Sequence, residues 1–107
     1  MSKRTKHLVK DSATQKWQHP GGKLRRLGPN SLTDAELLAV ILGSGSSGRS
    51  AREIADEIIN KYYSLSGLMG KTISELMKIK GLKEVKATQI AAVFEVARRI
   101  VKTLEKE

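Results

Sequence analysis

The stretch Ile79-Lys80-Gly81-Leu82-Lys83-Glu84-Val85-Lys86-Ala87-Thr88-Gln89-Ile90 reads as two helices joined by a tight hairpin. Gly81 supplies the positive φ that a branched residue adopts only under strain. Leu82 is placed to plug the turn into a core, Ala87 is small enough to let helices cross closely, and Ile79 and Ile90 take inward positions. The helix that opens after the turn aims its first N–H groups, which have no partner within the helix, past the hairpin. A phosphate oxygen suits such groups and the positive end of the helix dipole. Lys78, Lys80, Lys83 and Lys86 surround the turn, four cations in nine residues.

Working outward, the helix starts are written plainly. Thr33-Asp34-Ala35-Glu36 is a capping box with Leu32 and Leu37 placed as a hydrophobic staple, and the spacing predicts a helix to about Leu42. Ser50-Ala51-Arg52-Glu53 is a second box, followed by Ile54, Ile58 and Ile59 at helical spacing, so a helix is predicted over about 51–61. Leu65, Leu68 and Met69 suggest one turn, and Thr72-Ile73-Ser74-Glu75 opens a short helix through Leu76 and Met77 to the hairpin. The longest helix, about 84–104, carries Ile90, Val93, Phe94, Ala97, Ile100, Val101 and Leu104 on one stripe. No segment shows the alternation of a strand. The predicted fold class is all-α: a small bundle of about five helices over residues 23–107.

At 107 residues the chain is one domain at most. Residues 1–30 hold eight Lys/Arg against the single acid Asp11, a net of +7, whereas the remaining 77 residues carry only +2. Residues 1–22 are therefore expected to be a largely disordered basic tail, interrupted by Pro20-Gly21-Gly22. Its reading as a nucleic-acid arm and its reading as a solubilising tail both stand. Trp17 is expected to be exposed within it, with packing onto the bundle as the alternative. No apolar run approaches the ~20 residues that span a bilayer, and no secretory signal is visible, so a cytoplasmic location is the default expectation. The absence of cysteine removes disulfides and thiolate metal sites.

Ile41-Leu42-Gly43-Ser44-Gly45 followed by Ala51-Arg52-Glu53-Ile54-Ala55 parallels Ile79-Lys80-Gly81-Leu82-Lys83 followed by Ala87-Thr88-Gln89-Ile90-Ala91. Either the hairpin is pseudo-duplicated or two short helical segments are alike by chance. The loop Gly43-Ser44-Gly45-Ser46-Ser47-Gly48-Arg49-Ser50 fits G-x-x-x-x-G-K-S except that Arg49 replaces the lysine. A nucleotide-binding loop must follow a buried strand, whereas Thr33–Leu42 is spaced as a helix, and guanidinium is a poor substitute for a compact ammonium between phosphates. No nucleotide is expected. A second backbone-phosphate site made by Gly48, Arg49 and Ser50 and a plain flexible loop remain the two readings.

Catalytic chemistry has little to work with. His7 and His19 both lie in the tail, and Asp34, Glu36, Glu53, Asp56, Glu57, Glu75 and Glu95 fall where caps and solvated faces need them. No catalytic residue, metal ligand or cofactor is expected in this chain.

The pattern h-x-G-h-x-x-x-x-A-x-x-h around Gly81 resembles the helix-hairpin-helix family, with Lys83 where that family has a second glycine. The run His19-Pro20-Gly21-Gly22-Lys23-Leu24-Arg25-Arg26-Leu27-Gly28-Pro29-Asn30-Ser31-Leu32-Thr33-Asp34-Ala35-Glu36-Leu37-Leu38-Ala39-Val40-Ile41-Leu42, with Gly48-Arg49-Ser50-Ala51, Ile79-Lys80-Gly81-Leu82 and Lys86-Ala87, resembles the N-terminal domain of the RadC family, bacterial proteins long labelled DNA repair proteins. That family has a charged pair where Gly21-Gly22 stand. The resemblance implies a helix-hairpin-helix domain normally followed by a JAB/MPN domain of metalloprotease-like fold, with a metal motif that this chain does not contain. Two expectations follow. The first is a sequence-independent DNA-binding module that contacts phosphate through Lys80, Gly81, Leu82, Lys83 and Lys86, with Gly48, Arg49 and Ser50 as a second phosphate site. The second is a structural or protein-interaction domain that positions the JAB/MPN partner.

Overall fold

The computed structural model describes residues 19–46 and 48–106. Two units are distinguished, one ending at Thr33 and one running from Asp34.

In the first unit, helix α1 spans Pro20–Leu27. Proline fits the first helical position because its ring fixes a helical φ and its missing N–H would have had no partner there. Gly28, at φ 88°, ends the helix by donating its N–H to the Leu24 carbonyl at 2.9 Å, and a 3-10 turn over Pro29–Ser31 follows. The helix thus claims Pro20-Gly21-Gly22, which the composition assigned to the tail. The rest of that expected tail, Trp17 included, lies outside the described residues.

In the second unit, α2 (Asp34–Leu42), α3 (Ala51–Tyr62), the one-turn α4 (Ile73–Leu76) and α5 (Glu84–Lys106) form the bundle, with a 3-10 turn at Leu65–Leu68. The all-α class and the number of helices agree with the sequence reading. Among the described residues the only β-like pairing is an isolated bridge between Ser46 and Arg49. Leu38, Ala39 and Leu42 of α2 meet Ile54, Ala55 and Ile58 of α3; Leu68, Leu76, Ile79, Leu82, Ala87 and Ile90 complete one apolar cluster. Each large aliphatic side chain so buried contributes about 1.5–3 kcal/mol.

The Ser50 box forms in full: Ser50 Oγ accepts from the Glu53 N–H at 3.0 Å, and the Ser50 N–H donates to Glu53 Oε1 at 2.8 Å. Those hydrogen bonds, the backbone one first, hold the Glu53 carboxyl below its ordinary value. Thr72 Oγ1 likewise accepts from the Glu75 N–H at 3.1 Å. At the other end of α3, Tyr63 sits at φ 72° in the left-handed region with 88% of its surface exposed. A tyrosine pays about 1–2 kcal/mol for that conformation, against about 0.5–1 kcal/mol of extra chain entropy for glycine. Tyr63→Gly should therefore raise stability by about 0.5–1 kcal/mol, read as a higher urea midpoint at unchanged slope.

Two features go beyond what spacing alone conveys. Glu36, read as an acid on a cap or solvated face, is only 7% exposed and faces Arg52 of α3 at 3.7 Å. The apolar stripe of α5 continues well beyond the core: Ala87 and Ile90 are buried, but Val96, Ile100, Val101 and Leu104 are at least half exposed. On the polar side of that segment, Glu95 accepts from Arg98 at 2.8 and 2.9 Å and from Arg99 at 2.9 Å. These hydrogen bonds, that of Arg98 foremost, hold its carboxyl down to about 2 from the ordinary 4.5. A carboxyl depressed by folding stabilises the native state above its unfolded value and loses that contribution as pH falls through the folded one. The contribution of Glu95 should therefore disappear between about pH 4.5 and 2. Its carboxyl carbon resonance should titrate with a midpoint near 2, and a midpoint above 4 would contradict the pairing.

Candidate nucleic-acid interface

The hairpin between α4 and α5 is built by local chemistry. Beyond Leu76 the chain tightens, Ile79 donating its N–H to the Leu76 carbonyl at 3.1 Å and Leu82 to the Ile79 carbonyl at 3.0 Å. Gly81 turns the chain at φ 92°. A Cβ there would lie 2.8 Å from Ile54 Cδ1 and 3.2 Å from the Ser46 carbonyl oxygen, so glycine is required by space as well as by φ. Leu82, 2% exposed, plugs the turn into the core as its position suggested.

Lys80 and Lys83 stand exposed on either side of Gly81, with Lys78, also exposed, two residues before Lys80. Among the described residues none pairs with the ammonium groups of these three lysines. Lys83 immediately precedes α5, and its carbonyl takes the Ala87 N–H at 2.9 Å, so the N–H groups between them precede the helical ladder. Glu84, exposed in the first turn, adds one negative charge beside them.

Lys86 and Arg49 are arranged differently. Lys86 Nζ donates to the Leu42 carbonyl at 2.7 Å and also to the carbonyl of Ser44, with Ser44 Oγ at 3.3 Å. It therefore neutralises the C-terminal end of α2, where carbonyls lack helical partners and the dipole favours a cation. Arg49 Nη1 donates to the Lys80 carbonyl at 2.9 Å and lies 2.5 Å from Glu57 Oε1, while Nη2 reaches the Glu53 carbonyl at 3.4 Å. Ser50 spends its hydroxyl and its N–H on the α3 box, and Gly48 is exposed at φ 76°. The structure thus brings Arg49 to the hairpin but turns its guanidinium, like the Lys86 ammonium, onto the protein's own carbonyls.

Three participants were invisible in the sequence. Ser46 donates its hydroxyl to the Gly81 carbonyl across 35 residues of chain. Glu57 anchors Arg49 from one helical turn beyond the box, a spacing that could have suggested a shared face with Glu53. The backbone of Leu42 and Ser44 receives Lys86. The suspected duplication is also imperfect. Gly43 and Gly81 both adopt positive φ, and Ile54 and Ile90 are both buried. Yet Ile41 is 37% exposed where its counterpart Ile79 is 1% exposed, because in the first copy Leu42 takes the inward position directly before the glycine. The run preceding the Gly43 loop is helix α2, not the strand a nucleotide loop requires. No group of three or more metal-ligating side chains occurs among the described residues.

The family model described as UPF0758 N-terminal matches residues 12–88, and the chain belongs to this RadC-like family. A UPF0758 protein of Aliivibrio salmonicida is 44% identical over 89 residues, covering 82% of this chain and 40% of the relative. One from Bordetella petrii is 43% identical over 82 residues, covering 77% and 36%, and one from Aquifex aeolicus 45% over 80 residues, covering 75% and 34%. The chain therefore spans two fifths or less of the length of these relatives. No solved structure matches it significantly. Among the described residues no helix is long and apolar enough to cross a membrane.

Proposed function

We propose that this domain is a sequence-independent DNA-binding module that grips the phosphate backbone through the Lys80–Lys83 hairpin. The observation that carries the reading is the division of labour among the cations: Lys86 and Arg49 are engaged by backbone carbonyls, whereas Lys78, Lys80 and Lys83 extend into solvent around the start of a 23-residue helix. Neutral amides and a helix dipole position one phosphate, and the flexible ammonium groups reach its neighbours. None of these groups is held in the rigid, branched geometry that reads base edges, so contact with the backbone is favoured over contact with sequence. The role assigned to the hairpin is binding without catalysis. A titration of labelled duplex, branched and single-stranded DNA against salt tests this: affinity indifferent to base sequence and falling steeply with salt is expected, and binding insensitive to salt would exclude backbone contact.

A second reading is favoured by α5. Its exposed Val96, Ile100, Val101 and Leu104 form an apolar stripe of the kind that docks against protein, and the longer relatives contain more than half their length outside the matched region. On this reading the domain positions a JAB/MPN domain, and any metal-dependent hydrolysis belongs to that other part. The two roles use opposite ends of α5 and are compatible. Constant DNA affinity on replacing Val96 and Ile100 by polar residues would show that they are separate.

A further inference from the structure

We infer that Arg49, Ser46 and Lys86 form a reciprocal clasp that sets the shape of the DNA-gripping hairpin, so that Arg49 and Lys86 are positioning residues and not phosphate contacts. The inference rests on the DNA-binding reading only for its consequence on affinity; the clasp itself stands on the geometry.

The bonds run in both directions between two loops far apart in sequence. From the Gly43 loop, Ser46 Oγ donates to the Gly81 carbonyl and Arg49 Nη1 to the Lys80 carbonyl at 2.9 Å. From the other side, Lys86 Nζ donates to the carbonyls of Leu42, at 2.7 Å, and Ser44. Each loop therefore supplies side-chain donors to the backbone acceptors of the other. Consecutive carbonyls at Lys80 and Gly81 are bonded to the Gly43 loop, which fixes the peptide planes on both sides of the turn. The Arg49 side chain is only 22% exposed, and its charge is met by Glu57 Oε1 at 2.5 Å. A guanidinium committed to a carboxylate and two carbonyls has little left to offer a phosphate. It does supply a planar fork that one ammonium cannot reproduce. Gly45 belongs to the same device. A Cβ at that position would overlap the Arg49 carbonyl oxygen, so the loop closes on itself tightly enough to aim Ser46 and Arg49 at the hairpin.

The test compares Arg49→Gln, Arg49→Lys, Ser46→Ala and Lys83→Gln by hydrogen exchange without DNA and by the salt slope of DNA binding. The clasp predicts that the Leu82 amide, bonded to the Ile79 carbonyl, exchanges at least tenfold faster in Arg49→Gln and Ser46→Ala, with the Ile58 amide as an unchanged reference for global stability. Arg49→Lys retains the charge and should still speed exchange. In DNA binding, Arg49→Gln should lower affinity severalfold at an unchanged slope, whereas Lys83→Gln should reduce the slope by about 0.9, the value of one lost phosphate contact. Arg49→Gln behaving like Lys83→Gln, with Leu82 exchange unaltered, would overturn the inference and make Arg49 a phosphate contact. Unaltered Leu82 exchange in both Arg49→Gln and Ser46→Ala would overturn it whatever happens with DNA. If the parent shows no salt-dependent binding the DNA reading fails, and accelerated Leu82 exchange still supports the clasp.

Discussion

Gly81→Ala should cost the domain about 3 kcal/mol. Two effects add. A left-handed backbone burdens an L-residue by about 1–2 kcal/mol, and the new methyl would lie 2.8 Å from Ile54 Cδ1 and 3.2 Å from the Ser46 carbonyl oxygen, an overpacking of about 1–3 kcal/mol. For a domain of this size the melting midpoint falls by about 4–8 °C per kcal/mol, so a loss on the order of 15 °C is expected in a calorimetric or circular dichroism melt. Gly70 provides the control. It too has positive φ, at 79°, but nothing lies within 4 Å of its added Cβ, so Gly70→Ala should cost only the conformational share of about 1–2 kcal/mol. Ile54→Val, which removes the methyl nearest the clash, should be less harmful in the Gly81→Ala background than alone, and the double-mutant cycle measures that coupling. Equal losses at Gly81 and Gly70, with no coupling to Ile54, would show that the close approach carries no weight.

Reversing Lys80 and Lys83 together to Glu should take about 1.8 units from the magnitude of the salt slope of DNA binding, since each neutralised phosphate contributes about 0.9. Whatever the other cations add is common to parent and variant. Three hairpin cations acting alone would weaken binding roughly fortyfold between 50 and 200 mM salt, so removing two of them eliminates most of that dependence. Lys102→Glu/Lys106→Glu makes the same change in net charge at the far end of α5 and should leave the slope within experimental error of the parent. Both ammonium groups of the hairpin are exposed, so the fold should survive reversal, which a matching melting temperature confirms. A folded hairpin variant with the parent's slope would remove the hairpin from the interface.

The contrast between Gly81 and Arg49 shows where sequence reasoning reaches and where it stops. Gly81, Leu82 and the Ser50–Glu53 box express rules that act within four residues, and the chain itself carries the spacing. Arg49 and Lys86 advertise only a positive charge. Whether that charge meets a phosphate or a carbonyl 31 or 44 residues away depends on which loops come together. Serine is still less informative, because the Ser46 hydroxyl looks like any other in a glycine-rich loop. The stripe of α5 illustrates another limit. Periodicity identifies the apolar face but says nothing of how far a neighbour extends along it. Glu36 escaped for the opposite reason: its place in a capping pattern explained it so well that burial beside α3 was not suspected. The helical start at Pro20 was hidden by Gly21-Gly22, whose poor helix propensity argued for a tail.

Helix α5 lives in two thermodynamic settings at once. Its first two turns melt only with the core, since Ala87 and Ile90 are fully enclosed. The turns beyond Val96 draw mainly on backbone hydrogen bonds and on ion pairs such as Glu95–Arg98 and Glu95–Arg99, and a helical segment of that length is marginal in water without packing. A gradient of amide protection along one continuous helix follows, steep near Val93 and shallow toward Lys106, with the distal turns opening while the hairpin stays intact. The end that offers an apolar surface is thus also the end that can rearrange at little cost, and anything that settles on it stiffens the helix outward from its anchored start.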